Sequence, residues 1–394
     1  MTKHRALPLI CFTALFALGV FLFACVRNGV TEAVTQTPTP ANGPEWTSLK
    51  AEGRLDLRYA TQFAVTAYED GYKLITIVDS GSYLLVPEGK TAPVGLESDV
   101  VILRQPLERI YLAATSAMDL FRALDGVGNI RLSAEKESGW YIDEAKRAMA
   151  SGEILYAGKY SAPDYELIYA EKCDLAIEST MIYHSPAVKE QLERLGVPVL
   201  VERSSYESDP LGRMEWLKLY GVLLGKESLA EEIFDREVDA LSSVIGQENT
   251  DKTVAFFYIT TTGSVNVRKS GDYVAKMIDM AGGQYIFPDL TENASALSTM
   301  NMQMEEFYSR AKDADVLIYN SAIDGELHTM EELLAKSPLF ADFKAVKSGN
   351  VWCTGKNLFQ ESLGLGRLIA DFHTVLTEQD PKPEELSYLH RLTN

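Results

Sequence analysis

The sequence predicts an α/β protein: two Rossmann-like α/β lobes joined by a long connecting helix, with a β-rich extension in front of them. Three observations predict it. From Leu107 onward short apolar strands alternate with amphipathic helices, the signature of α/β layering. The alternation stops over residues 211–248, where two apolar stripes at helical spacing follow one another with no strand between them. It then resumes with the same unit: MEEFYSRAKDADVLIYNS repeats the helix-then-strand order of YELIYAEKCDLAIES in the first half.

The N-terminus comes first. Lys3, His4 and Arg5 precede an apolar run from Ala6 to Ala24, and the small residue Ala24 stands before Cys25. Basic start, apolar centre and small residue are the parts of an export signal, here residues 1–24. Cys25 at the cut resembles the lipobox of bacterial lipoproteins, which implies that its thiol carries lipid. A plain transmembrane anchor is the competing reading, because the run is just long enough to span. Residues 25–45 then read as the lipidated Cys and a flexible tether, rich in Thr, Pro, Gly and Asn and almost free of large apolar groups. These segments predict export, and a lipid anchor at the outer face of the cytoplasmic membrane or its periplasmic side.

Residues 46–105 form the β-rich extension. Leu55, Leu57 and Tyr59, then Phe63, Val65 and Ala67, alternate with period two, and Asp70-Gly71 signals a hairpin before YKLITIV. Residues 106–210 are the N-terminal lobe, with ERIYLAA a strand, and Ser116 and Asp119 a capping pair opening a helix that Gly126 closes. The connector, 211–248, is helical and broken near Gly225. Residues 249–394 are the C-terminal lobe: the strand KTVAFFYI, a polar loop TTTGSVNVRKSGD, the helix YVAKMIDMAGG, the strand GNVWCTG and a closing helix from LGLGRLIADF.

Composition excludes several classes. A net charge of −19 over 394 residues would repel phosphate backbones, so nucleic acid is not expected as a partner. Four cysteines without CxxC spacing are no disulfide scaffold, and Cys173 and Cys353 read as buried free thiols. Five histidines, scattered along the chain, do not suit capture of a bare metal ion, so no metal ligands and no cofactor are assigned. No GxSxG, HExxH, Walker A or GxGxxG motif marks an enzyme, which stands as the different-class alternative on the same two lobes. A surface adhesion or purely structural protein is the third class.

The ordered set LERIYLAATSAMDLFRALDG, DYELIYAEKCDLAI, LGVPVLV, YGVLLGKESLAEEIFDRE, YVAKMIDMAGGQYIF, MEEFYSRAKDADVLIYNS and AVKSGNVWCTG resembles the iron-chelate and cobalamin binding proteins of ABC importers over roughly residues 105–380. The extension departs from that pattern. The resemblance implies a substrate-binding lipoprotein that holds a small-molecule metal chelate between its lobes and delivers it to the transmembrane subunits of an ABC permease. An iron-siderophore is the expected cargo, with haem or cobalamin as alternatives and a bare metal ion behind them. The protein is expected to act as a monomer. The resemblance also implies permease docking through one surface glutamate per lobe, Glu166 and Glu305, with Glu306 next to the latter; a solvated carboxylate favoured at a helix start is the plainer reading.

Ligands in two-lobed α/β proteins sit at loops leaving the strand ends. Five such loops carry the candidates: Trp140 and Tyr141; Tyr160; Met181, Tyr183 and His184; Arg268, Lys269 and Tyr273; Asn357 and Phe359. Aromatic faces stack on catecholate, corrin or porphyrin rings. Arg268 and Lys269 would face an anionic ligand. Met, Tyr and His are all haem-ligand types. Glu207 and Asp209 are read as the N-terminal charges of the helix that Pro210 opens, rather than as cleft carboxylates.

Overall fold

The computed structural model describes residues 43–291, 298–378 and 380–393, so the signal, Cys25 and most of the expected tether lie outside the described residues. The fold begins slightly before residue 46, because Pro44 and Trp46 exchange backbone hydrogen bonds with Val94.

In the extension, β1 (Ala51–Arg54), β2 (Phe63–Tyr68), β3 (Lys73–Ile77), β4 (Gly81–Val86) and β5 (Val100–Arg104) form one sheet in sequence order. The first four strands are antiparallel and β5 runs parallel to β4. Asp70 (φ 64°) and Gly71 (φ 83°) make the β2–β3 turn, the left-handed pair a tight hairpin asks for. Phe63, Val65, Ile75, Ile77, Tyr83, Leu85 and Leu103 join the main core. The expected strand through Leu55, Leu57 and Tyr59 does not form. There the backbone N–H groups serve another purpose: those of Arg58, Tyr59 and Ala60 donate to the Glu215 carboxylate at 2.8–2.9 Å, and those of Thr61 and Gln62 to Glu207 at 2.9–3.0 Å.

The N-terminal lobe contains β6 (Ile110–Leu112), α1 (Met118–Ala123), β7 (Ile130–Ser133), α2 (Asp143–Ser151), β8 (Leu155–Tyr156), the small hairpin β9 (Gly158–Lys159) and β10 (Ala162–Pro163), α3 (Tyr165–Ala170), β11 (Leu175–Ser179), α4 (Pro186–Arg194) and β12 (Val199–Glu202). Its sheet is parallel, in the order β12-β11-β6-β7-β8. The expected Ser116–Asp119 capping pair is absent: no side chain caps α1, and Asp119 is buried with Arg122 instead. The left-handed residue that ends the helix is Asp125 (φ 49°), not Gly126.

The connector is helical and breaks at Gly225, as expected. It is a pair, α5 (Pro210–Leu224) and α6 (Glu227–Ala240), that folds back at left-handed Gly225 (φ 66°). A Cβ on Gly221 would come within 2.6 Å of Ala230 Cβ, which is why the two helices can approach so closely. Helix α5 is apolar nearly all round and buried nearly all round. Trp216 meets Phe63 of the extension edge-on at 5.0 Å, and Tyr220 meets Phe121 of α1 at 5.2 Å. One continuous core therefore runs from the extension through α5 into both lobes.

The C-terminal lobe contains β13 (Thr253–Ile259), β14 (Val265–Arg268), α7 (Tyr273–Met280), β15 (Gln284–Tyr285), β16 (Thr299–Met302), α8 (Met304–Ala311), β17 (Val316–Tyr319), α9 (Ser321–Asp324), α10 (Met330–Lys336), α11 (Lys344–Lys347), β18 (Val351–Thr354), α12 (Leu365–Thr377) and β19 (Leu389–Arg391). Its sheet runs β16-β14-β13-β17-β18-β19, with β15 beside the start of β13. Two expectations are corrected. The loop after β13 contains the antiparallel strand β14. Helix α12 is not the last element: the Asp371 carboxylate accepts the N–H groups of Ser387, Tyr388 and Leu389, and this turns the chain back to add β19. Cys173 and Cys353 are free and buried, as expected, and burial pushes both thiols up to about 12.

Candidate functional site

Loops at the C-terminal ends of β11 and β12 face the start of α7 and β16 across a cavity of about 490 Å³. The N-terminal lobe supplies Thr180, Met181, Tyr183, His184 and residues 205–208; the C-terminal lobe supplies Gly271, Asp272, Tyr273, Ser298 and Thr299. This is a cleft between a parallel sheet in one lobe and a mixed sheet in the other, and its volume is that of a small-molecule site. Four sequence-predicted residues meet here: Met181, Tyr183, His184 and Tyr273.

Two tyrosines define its chemistry. Tyr206 from the N-terminal lobe carries the Arg203 guanidinium 4.1 Å from its ring centre. Tyr273 from the other lobe carries Arg213 at 3.7 Å. Each ring is thus backed by a stacked cation. The arginines are held in turn: Arg203 by Asp79 at 3.4 Å, from the β3–β4 turn of the extension, and Arg213 by the Ser204 carbonyl at 2.9 Å. The Tyr183 hydroxyl donates to the Asp79 carbonyl at 3.3 Å. The extension therefore braces the N-terminal wall of the cleft.

The expected cations sit differently. Arg268 lies behind the cleft, 3.6 Å from Asp272 and 5.8 Å from the Tyr273 ring, and the neighbouring tyrosines and Asp272 outweigh burial to hold its pKa above the usual value. Asp272, four residues on, also caps α7 by accepting the Val274 N–H, so Arg268 is neutralised before any ligand arrives. Lys269 is buried. Neither lines the cavity; Arg203 and Arg213 do not line it either but back its two tyrosine rings from behind, and sequence reasoning missed them because that role depends on stacking across loops. Glu207 is not a helix-start charge. It is buried, accepting from the Trp216 indole at 3.0 Å and from Thr61 and Gln62, whereas Asp209 does cap α5.

Trp140 leaves the site altogether. It is 1% exposed in the core, its indole donating to Ser133 Oγ at 3.2 Å. Tyr160 lies in the β9–β10 turn, away from the cavity lining. Tyr141, Asn357 and Phe359 gather where the lobes meet a second time. The Tyr141 and Phe359 rings stand edge to face at 6.0 Å. Beside them buried Gln360 accepts the Tyr141 N–H and donates to the Gly139 carbonyl, both at 2.7 Å, while Asn357 Nδ2 donates to Glu361 at 3.0 Å. Ser362 and Leu363 add bonds to Ser116 and Asp119 at 2.7 and 2.9 Å. Glu166 and Glu305 are exposed in the first turns of α3 and α8, one on each lobe.

Residues 115–358, more than half of the sequence, match the family model described as periplasmic binding protein. The chain belongs to that family. Its members are substrate-binding proteins, not enzymes. Two curated relatives are uncharacterized lipoproteins of Methanocaldococcus jannaschii: one is 29% identical over 78% of this chain and 75% of its own, the other 27% identical over 86% and 87%. Among solved structures, the periplasmic haem-binding protein HutB of Vibrio cholerae aligns with a TM-score of 0.55 at 16% identity, covering 68% of this chain and 99% of its own. A protein of an ABC-type Fe³⁺-hydroxamate transport system from Saccharomonospora viridis aligns at 0.52 and 18% identity, covering 69% and 94%. At these identities the structures speak for the two-lobe fold. Binding proteins of this family are extracytoplasmic, and no helix among the described residues is long and apolar enough to cross a membrane.

Proposed function

We propose that the protein is a lipid-anchored receptor that captures an anionic metal chelate, an iron-siderophore in the first instance, in the 490 Å³ cleft and passes it to an ABC permease. One observation carries this reading: each lobe offers the same cavity a tyrosine ring backed by an arginine, Tyr206 on Arg203 and Tyr273 on Arg213. Flat rings suit the ligand's aromatic groups, and stacked guanidinium groups supply positive potential without crowding the contact face. Family membership and the binding partners named for the haem and Fe³⁺-hydroxamate proteins support the same class.

Haem is the second reading, because Met181, Tyr183 and His184 line the same cavity and all three are exposed side chains able to meet an iron. Docking would use Glu166 on one lobe and Glu305 on the other, meeting basic groups of the permease. Cys25 would carry the lipid.

The test is a titration of the full chain in mild detergent, with protein-free micelles as blank, against ferric siderophores, haem and cobalamin, read by tryptophan quenching and absorbance. Sub-micromolar binding of a ferric siderophore supports the first reading. A shifted Soret band that is lost in His184→Ala replaces it by the second. Binding to none of the three ends both.

A further inference from the structure

Away from the cleft, the fold brings together two of the histidines that look scattered in the sequence. We propose that Glu326, His328 and His390 form a binding site for a divalent transition-metal ion of the Zn²⁺ class. One ligand atom from each lies within 4.8 Å of the others. The imidazole rings of His328 and His390 are 5.0 Å apart and inclined by 23°.

The local chain explains the convergence. Leu327 is buried, with its N–H directed to Cys353 Sγ at 3.3 Å. Its neighbours Glu326 and His328 therefore share the opposite, outward side. His390 arrives on β19, paired opposite Cys353.

Each ligand is also oriented by a second contact, as metal ligands are. His390 Nε2 lies 2.8 Å from the Leu327 carbonyl. A carbonyl only accepts, so Nε2 carries the proton and Nδ1 of the neutral ring keeps its lone pair. Glu326 Oε1 accepts the Lys356 N–H at 2.7 Å, which leaves Oε2 facing His328 Nε2 at 3.7 Å. The backbone of His328 is pinned on both sides, its N–H to Glu332 at 2.6 Å and its carbonyl to the Thr393 N–H at 3.0 Å.

Two imidazoles and a carboxylate select Zn²⁺, Co²⁺, Ni²⁺ or Cu²⁺ over Ca²⁺ and Mg²⁺, which prefer oxygen. Bonds of about 2.0–2.2 Å need the donors closer than they stand, and His328, with its side chain 63% exposed, is free to swing inward. Three protein ligands leave a position open to water or an added donor. None of the three lines the cleft, so an ion here is resident in the C-terminal lobe and distinct from the cargo.

The experiment uses the full chain without a histidine tag, stripped with a chelator and titrated with Zn²⁺ against a chromophoric competitor, then with Co²⁺ to read visible absorption. One equivalent should bind with a dissociation constant of about 10 μM or tighter. His328→Ala/His390→Ala should weaken it by roughly 100-fold or more, and His184→Ala/His373→Ala should leave it unchanged. If the double variant does not fold, the exposed His328→Ala alone should still weaken binding about 10-fold. Equal binding by the wild type and the His328 variants, loss through His184→Ala, or no binding up to about 100 μM would each overturn the site.

Discussion

The two places where the lobes meet are built in opposite ways. Around Gln360 the contact is closed by hydrogen bonds: one buried amide spans from the C-terminal lobe to Gly139 and Tyr141, and Leu363 reaches Asp119. Around Tyr206 and Tyr273 the lobes stand apart over a cavity, with the two rings left lining it. The first place holds and the second receives. With α5 buried between them, we expect relative movement to be limited to a small closing of the open side, and solution scattering that showed closure by many ångströms on binding would contradict this.

A buried carboxylate in each region makes the contrast sharpest. Asp119, on the closed side, is 0% exposed and accepts from Arg122 at 2.6 and 2.9 Å and from Leu363 at 2.9 Å. Glu178, on β11 just below the cleft loop, is also 0% exposed, and neither of its oxygens has a protein partner. Burial pushes its carboxyl up to about 8. The folded state therefore holds this proton more tightly than the unfolded chain does. Its contribution is fully present below the ordinary carboxylate value of about 4.3, and is lost as pH rises toward 8. Glu178→Gln should remove that slope. We expect urea unfolding to show the variant more stable than the wild type at pH 8, by several kcal/mol, because each tenfold change in proton affinity between the folded and unfolded states is worth about 1.4 kcal/mol. Parallel stability–pH curves for the two proteins would mean that Glu178 is solvated after all.

On the closed side a substitution should destabilise instead, because Asp119 accepts hydrogen bonds from Arg122 and Leu363. Asp119→Ala leaves the Leu363 N–H and the Arg122 guanidinium without their acceptor and should cost about 2–3 kcal/mol in chemical denaturation. The Arg122 side chain is 35% exposed and recovers water, which keeps the figure below that of a wholly buried pair. Ligand affinity should change less than threefold, about 0.6 kcal/mol. A large affinity loss with stability intact would make this junction part of the binding site.

The sequence made the layering legible because strand and helix periods differ and because the unit recurs in both lobes. It placed Met181, Tyr183, His184 and Tyr273 on one cavity through their positions after strands or at a helix start. It misplaced Trp140 and Arg268 for a physical reason: a loop aromatic can turn inward onto Ser133, and a cation can find Asp272 one helical turn later. Arg213 could not be read at all, since its target ring lies 60 positions away and is reached only because α5 runs between the lobes. The same limit hid His328 and His390, which meet only because Asp371 folds β19 back.

The open side is tested by its rings. Tyr206→Ala and Tyr273→Ala should each weaken an aromatic anionic chelate by about 10-fold, the scale of one ring contact plus its stacked cation. Tyr206→Ala should unfold within about 1 kcal/mol of the wild type, because that ring is exposed to the cavity, whereas Tyr273→Ala should also lose some stability, because its ring packs against the main core as well. Arg268→Ala should behave in the opposite manner, losing stability and little affinity. An unchanged titration for both tyrosine variants would move the ligand out of this cavity.

The smallest effect concerns the extension, which meets the open side through Asp79. Asp79 sits at the left-handed position of the β3–β4 turn (φ 52°) and pairs with Arg203 through an exposed carboxylate. Asp79→Gly keeps the backbone conformation and the carbonyl that receives Tyr183, and removes only the charge. Arg203 is then freed from a competing anion behind the Tyr206 ring. Affinity for an anionic chelate should rise, by threefold at most because an exposed pair contributes little, and the gain should shrink as salt is added. A loss of affinity that is insensitive to salt would show that the turn positions the loop through its side chain, and the extension would then be a structural part of the receiving wall rather than a weak electrostatic brake on it.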